Sequence, residues 1–387
     1  MNKTSISQFV KKYTLMIALA VVILIFSILT SGSILNPQNI NNLISQNAYV
    51  IILAVGMLMT ILTGGNVDLS VGSIVAMIGA VAGKMMVTKG MNIFLTMFVC
   101  LFLGVVIGML QGFIIAYIKV PPFIATLGGM MIWRGVALII LDGFTISPYP
   151  DTYLKIFNSY LPNIFKSYEK LDLTCLLIGI VGVIAFAITK IGTYQKEKKQ
   201  TVKTTTLAGT IGSILIIGLI GMFVTYKLAI YRGLPMILIY ILIIIAIYHY
   251  YTSKTVAGRY LYAVGGNEKA AKLSGIDTER VYFKAYTNMG FLSGLAALVV
   301  VARFNAASPT AGTGYEMDAI ASVFLGGASA YGGTGSVIGA VIGALFMGVL
   351  NNGMSIMGID ANWQRVVKGT VLLAAVIFDV TSKRKKS

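Results

Sequence analysis

A single histidine, His249, in 387 residues leaves little for acid and base catalysis and excludes histidine-rich metal sites and any Ser/His/Asp arrangement. It reads as an interfacial side chain at the end of an apolar run. Only two cysteines are present, Cys100 and Cys175, each inside or at the end of an apolar run. They suggest neither a disulfide framework nor a zinc site and read as packing residues. Charge is also scarce: 11% of residues are charged, 57% are hydrophobic and the mean hydropathy is +0.85. A soluble core of this size would need more polar cover, so the composition is that of a polytopic membrane protein. The nearest approach to a phosphate-binding loop, GAVAGKM at 79–85, has three residues where the motif needs four and lacks Ser or Thr after Lys84. The chain does not bind ATP that way.

Acidic residues are outnumbered 13 to 30, giving a net charge of +17. The basic residues do not form a face interleaved with aromatics, which argues against nucleic acid. They cluster between apolar runs: Lys3, Lys11 and Lys12 near the start, five lysines in 190–203, six basic residues in 252–284, and Lys383 to Lys386 at the end. This is the positive-inside pattern, with anionic lipid headgroups as the simplest partner. Runs of about 20 apolar residues predict twelve spans, at 14–30, 47–63, 69–88, 93–116, 123–141, 172–190, 205–227, 233–251, 282–302, 317–331, 336–355 and 363–380. A cytoplasmic amino terminus then puts every basic cluster and both termini on the cytoplasmic side. The first run also fits a cleavable signal peptide, which would leave eleven spans and upset the charge distribution.

Two segments are unusual in texture. LTGGNVDLSVGSIVAMIGAVAGK at 62–84 and LGGASAYGGTGSVIGAVIGALFMG at 325–348 each hold a Gly-Gly pair, a short polar link, Gly-Ser and a small-residue helix. They resemble an internal repeat, parallel because both links fall at the cytoplasmic end. Glycines recur at every fourth position at Gly104, Gly108 and Gly112, at Gly335, Gly339 and Gly343, and at Gly290 and Gly294, as in close helix packing in lipid.

Asn66 or Asp68, with Ser70 beside them, are placed to cap the helix after the first link. Asp68, ionisable at that depth, is equally a gating candidate. Glu316 and Asp318 open the span 317–331 on the outer side, where with Arg303 they are candidates for contact with a binding protein. Arg134, Arg365 and Lys368 mark a plausible solute path, and Arg365 and Lys368 share a helix face. Asn351, Asn352 and Gln364 supply hydrogen-bonding groups of the kind a sugar hydroxyl uses, although interhelical bonds are the commoner role.

The polar stretch 252–284 is too long for a simple turn and reads as a docking surface for a soluble partner. Within it Glu268, Ala270, Ala271 and Gly275 give E-x-A-A-x-x-x-G, which resembles the coupling-helix loop of ABC importer permeases. A longer series of motifs carries the resemblance further: GGNVDLSVGS, KVPPFIATLGGMMIWRGVAL, GRYLYAVGGNEKAAKLSGI, SPTAGTGYEMDAIASVFLGGASAYGGTGSVIGA, NNGMSIMGI and WQRVVKGTVLLAAV, in that order. The chain is similar over most of 35–379 to the permeases of ribose, xylose and galactose ABC import systems. An added helix pair in 151–232, around a basic cytoplasmic loop, is more like the xylose or multiple-monosaccharide branch.

The resemblance implies an all-α, single-domain bundle of 10–12 transmembrane helices, of the type II importer kind, in the cytoplasmic membrane. It implies a second copy of the chain, an ATP-binding cassette subunit that holds the ATP, and an extracytoplasmic sugar-binding protein that delivers a monosaccharide. No cofactor is expected in the chain itself, which is not an enzyme. Coupling would run through Asn267, Glu268, Ala270, Ala271 and Gly275, and gating through Asp68 and the glycine links. A proton-coupled secondary sugar transporter is the competing reading, and it calls for a carboxylate in the middle of a span.

Overall fold

The computed structural model describes residues 3–165, 171–198 and 207–384. Lys199, Lys203, Lys385 and Lys386 of the predicted basic clusters lie outside them. The described residues form fifteen α-helices: α1 Lys3–Leu29, α2 Pro37–Leu62, α3 Val71–Gly83, α4 Ile93–Ala116, α5 Pro122–Leu141, α6 Asp151–Asn158, α7 Leu173–Lys198, α8 Leu207–Tyr231, α9 Met236–Lys254, α10 Val256–Gly266, α11 Glu268–Leu273, α12 Thr278–Phe304, α13 Tyr315–Leu325, α14 Val337–Ile356 and α15 Ala361–Arg384. A π-helical turn, Lys84–Thr88, extends α3. Among the described residues nine helices are long and apolar enough to cross a membrane, α2 to α5, α7 to α9, α12 and α14.

Local chemistry sets many helix starts. Prolines Pro37 and Pro122 open α2 and α5 at positions whose amide needs no partner. Side-chain caps open five more: Asn92, Thr255, Asn267, Asp277 and Ser336 each accept a bond from an amide of the first turn of α4, α10, α11, α12 and α14. Asn305 ends α12 in the left-handed region, and its Oδ1 accepts the Tyr149 amide at 2.7 Å.

Helices α2, α3 and α12 are buried on nearly every side and form the core. The predicted glycine stripes meet there. Gly104 and Gly108 of α4 lie backbone to backbone with Gly290 of α12, where an added Cβ on Gly290 would fall 2.2 Å from the Gly104 carbonyl oxygen. Packing of this kind holds helices together in lipid, where burial of apolar surface offers no gain. Gly339 and Gly343 likewise seat α14 on α13, whereas Gly335 precedes the helix and belongs to the link.

The predicted span 317–331 is corrected. Helix α13 has 11 residues, about 16 Å of rise and roughly half a bilayer. The rest of that crossing is irregular: Ala307 exchanges two 2.9 Å backbone bonds with Ile146 at one end, and the Gly333 amide donates to Leu62 O at the other. Irregular backbone at such depth is tolerated only inside protein. The Gly-Gly pair Gly326 and Gly327, the latter at φ 84°, stops the helix although the composition stays apolar.

The first link, 63–70, also departs from expectation. It doubles back along α2, so that the Asp68 amide donates to Met57 Sδ at 3.4 Å, five residues before the helix ends. The two links then touch. Gly65, at φ 77°, presses so closely on Ala330 that a Cβ would lie 2.0 Å from its carbonyl oxygen, and only glycine serves there.

Helix α6 is no part of a span. It packs into the body through buried Tyr153 and Phe157, with the Tyr153 hydroxyl donating to Leu298 O at 2.6 Å. Helices α7 and α8 form a peripheral hairpin around a small cluster of Cys175, Leu228, Ala229 and Leu234. Both cysteines are buried and unpaired with each other.

Candidate translocation and coupling sites

The polar loop folds into α10 and α11 before entering α12. Asn267 Oδ1 accepts the Ala270 amide at 3.0 Å, and Gly275, at φ 83°, closes the short helix with the Ile276 amide bonded back to Ala271 O at 3.1 Å. Glu268 accepts the Tyr282 hydroxyl at 3.1 Å. Glu279 takes Lys272 at 3.1 Å and Lys119, from the α4–α5 turn, at 2.9 Å, tying α11 to two parts of the bundle. The two alanines face opposite ways. Ala270 is exposed, but Ala271, its neighbour in the E-x-A-A pattern, is buried against its own chain. The outward knob is Leu273, 90% exposed and flanked by Lys269 and Lys272. Sequence reasoning passed over it because one leucine in an apolar chain carries no signal.

Helix α10 connects this loop to the interior. A Cβ on Gly265 would lie 1.8 Å from Leu62 O and 2.5 Å from the Gly333 amide, and the Tyr262 hydroxyl donates to Gly335 O at 3.1 Å. The end of α2, where the first link begins, and the second link therefore rest directly on α10.

Deeper in the bundle, Asp68, Ser70 and Gln111 form a buried chain. Asp68 Oδ1 accepts the Ser70 amide at 2.9 Å and the Ser70 hydroxyl at 2.6 Å, and Gln111 Nε2 donates to Ser70 Oγ at 2.7 Å. Neither Asn66 nor Asp68 caps α3. The N-cap position is Ser70, which makes no side-chain cap bond, and Asn66 turns to Thr63 Oγ1 at 3.5 Å and to the Tyr282 hydroxyl instead of to α3. Asp68 spends its bonding on Ser70 instead, because the doubled-back link sets it beside that residue. Its Oδ2, Gln111 Oε1, Ser73 Oγ and the Tyr286 hydroxyl are all buried with no partner in the protein. Buried polar atoms left over in one region mark a place where packing alone has not settled the arrangement.

On the other side of the bundle, a cavity of about 260 Å³ is lined by Gln46, Tyr49, Arg303, Asn351, Gln364 and Lys368 among others. Five of these six bear amide or cationic donors, spread over α2, α12, α14 and α15. Lys368 also holds buried Asp318 at 2.9 Å, so the first turn of α13 is anchored at the cavity. Tyr49 stacks on Tyr315 with ring centroids 4.0 Å apart. Arg134 donates to Ala311 O at 2.6 Å and Pro309 O at 3.4 Å, holding the irregular arm before α13. Glu316 is half-buried with its carboxylate over Gly72. Two predicted residues stand apart. Asn352 exchanges amide bonds with Asn39 at 2.8 and 3.0 Å and is an interhelical tie. Arg365 is exposed and absent from the cavity, although it lies three residues from Lys368.

Residues 39–376 match a family described as the branched-chain amino acid transport system permease component. The chain belongs to this permease family. It is 36% identical to the xylose transport system permease protein XylH of Haemophilus influenzae over 375 residues, 96% of this chain and 97% of that protein. XylH of Escherichia coli K12 is 36% identical over 373 residues, 96% of this chain and 92% of the relative. The ribose import permease protein RbsC of the same strain is 35% identical over 364 residues, 94% of this chain and 92% of the relative. No solved structure matches the chain.

As a permease it is a multi-pass membrane protein, and the three sites sort by depth along its bundle. The polar loop 252–284 lies at one end, the Asp68 chain in the middle and the polar cavity towards the other. No group of three or more His, Cys, Asp or Glu suited to a metal occurs among the described residues.

Proposed function

We propose that the permease moves a monosaccharide of the xylose type through the membrane, driven by an ATP-binding subunit that docks on α10 and α11. Near-full-length identity to xylose and ribose permeases supports a sugar, and outweighs the amino acid wording of the broader family. The single observation that carries the mechanism is the contact of Gly265 with the last residue of α2, where the first glycine link begins, and with Gly333 of the second link. Movement of α10 passes at once into the segments that hold Asp68 and lead into α3 and α14. In this reading Leu273 and Ala270 seat in the ATPase, and covering Leu273 alone contributes about 1.5–3 kcal/mol. Gly275 and Asn267 shape the peg, while Glu268 and Glu279 keep it attached. Asn66, Asp68 and Ser70 belong to the gate. Arg303, Asn351 and Lys368 line the outer entry, where a sugar-binding protein delivers its cargo, and Arg134, Glu316 and Asp318 hold α13 and its arm in place. Two copies of the chain complete the pathway, with the loop and both termini on the cytoplasmic side.

Proteoliposomes with the ATPase and binding protein test this. Xylose uptake should require ATP, and Ala270→Glu with Leu273→Asp should leave the permease in the membrane but reduce uptake at least tenfold. Uptake driven by a proton gradient without the ATPase would instead favour a secondary transporter, for which buried Asp68 is the one supporting observation. Normal ATP-driven uptake by the double variant would remove the docking assignment.

A further inference from the structure

A cavity of about 460 Å³ has no part in the path above. It lies between α9, α10 and the first half of α12, under the point where the coupling loop returns to the bundle. Its lining changes character along α12. Arg280 and Lys284 stand at the loop end, followed by Ala285 and then Asn288, with Met59 and Ile247 adding apolar surface. From Arg280 to Asn288 is about 12 Å of helix. The interfacial layer on each side of a bilayer is roughly 5–8 Å thick, so this wall runs from headgroup depth into hydrocarbon.

The polar groups are arranged for an anion. Arg280 is held by Asp277 at 2.9 Å, but Lys284 is exposed and makes no ion pair with a described residue. Asn288 accepts the Tyr248 hydroxyl through Oδ1, while its Nδ2 is buried without a partner, leaving an amide donor below the cations. A neutral sugar would leave Lys284 unanswered and the apolar wall uncovered. We propose that this cavity holds one anionic phospholipid, its phosphate at Arg280 and Lys284, its ester region at Asn288 and the start of an acyl chain against Met59 and Ile247. Gly275 and Asp277 also line the cavity, so the lipid braces the coupling loop where it joins α12.

The inference shares the cytoplasmic placement of the loop with the proposed function, but its test needs neither ATP nor sugar. The purified full chain is placed in nanodiscs of phosphatidylglycerol or phosphatidylcholine. Each carries a tracer of the same headgroup with a photoactivatable acyl chain, and crosslinked peptides are mapped by mass spectrometry. Peptides covering 247–261 and 280–288 should be labelled at least fivefold more by the anionic tracer. Arg280→Gln with Lys284→Gln should bring that down to the zwitterionic level, with labelling of exposed Leu219 on α8 unchanged. Ala257→Phe, which keeps every charge but narrows the cavity, should lower both. Equal labelling by the two tracers overturns the proposal. So does loss of label on adding inorganic phosphate, which assigns the cations to a soluble anion, or on adding xylose, which assigns the cavity to the sugar.

Discussion

Lys368→Met would remove the ammonium that lies 2.9 and 3.1 Å from the two carboxylate oxygens of Asp318. The Asp318 side chain is 2% exposed, and its other donors are weaker: the Asn351 amide and the Tyr49 hydroxyl, the latter 3.5 Å away. Removing one partner of a buried pair costs about 3–5 kcal/mol because the survivor is stranded. Lys368 itself is 23% exposed, so water reaches the gap and the lower figure, about 3 kcal/mol, applies. Protonation sets a ceiling: neutralising a carboxyl with an ordinary pKa of about 3.9 takes roughly 4 kcal/mol at pH 7. At about 2 °C per kcal/mol the unfolding midpoint falls by about 6 °C. Asp318→Asn in the same chain removes the stranded charge, so the double variant should recover most of the loss, with a coupling of about 2 kcal/mol in the cycle. Tryptophan fluorescence during thermal unfolding in nanodiscs reads this, since Trp363 lies on the same helix as Lys368. Equal midpoints for the single and double variants would show that the pair does not fasten α15 to α13, and the anchoring role of Lys368 would fall.

Two further outcomes follow from packing. Gly290→Val should lower stability by about 1–3 kcal/mol, because a Cβ there meets the Gly104 carbonyl oxygen at 2.2 Å and the helices must part; an unchanged midpoint would deny the close crossing of α4 and α12. The Leu161 amide donates to Leu234 O at 2.8 Å and the Met236 amide to Ser159 O at 2.9 Å, so the chain enters and leaves the α7–α8 hairpin at one spot. Deleting 163–232 across a short glycine joint should leave a folded permease that elutes as a single species in detergent, and aggregation would show that the hairpin is integral.

Hydropathy made the long spans legible, because length and apolar content are all a membrane helix requires. The polar loop 252–284 was legible for the opposite reason, being a long polar interruption. What escaped was backbone geometry. The run 317–331 is apolar apart from Asp318 and two serines, and the glycines that end α13 look the same in a sequence as the glycines that pack helices. Asp68 was recognised as unusual, yet its depth depends on the link folding back, which no local pattern encodes. The facing of Ala270 and Ala271 depends on the cap at Asn267, and adjacent positions on a six-residue helix point to different sides. Arg365 and Lys368 share a helix face by spacing, but only Lys368 has Asp318 opposite it to draw it inwards.

Where Gly265 meets Leu62 and Gly333, main chain presses on main chain with no side chain between them. Side chains can change rotamer and absorb a push; peptide groups at this spacing have nowhere to yield. A shift of one ångström in α10 would therefore arrive at the end of α2 and in the second glycine link almost undiminished and simultaneously, as in a rigid linkage without backlash.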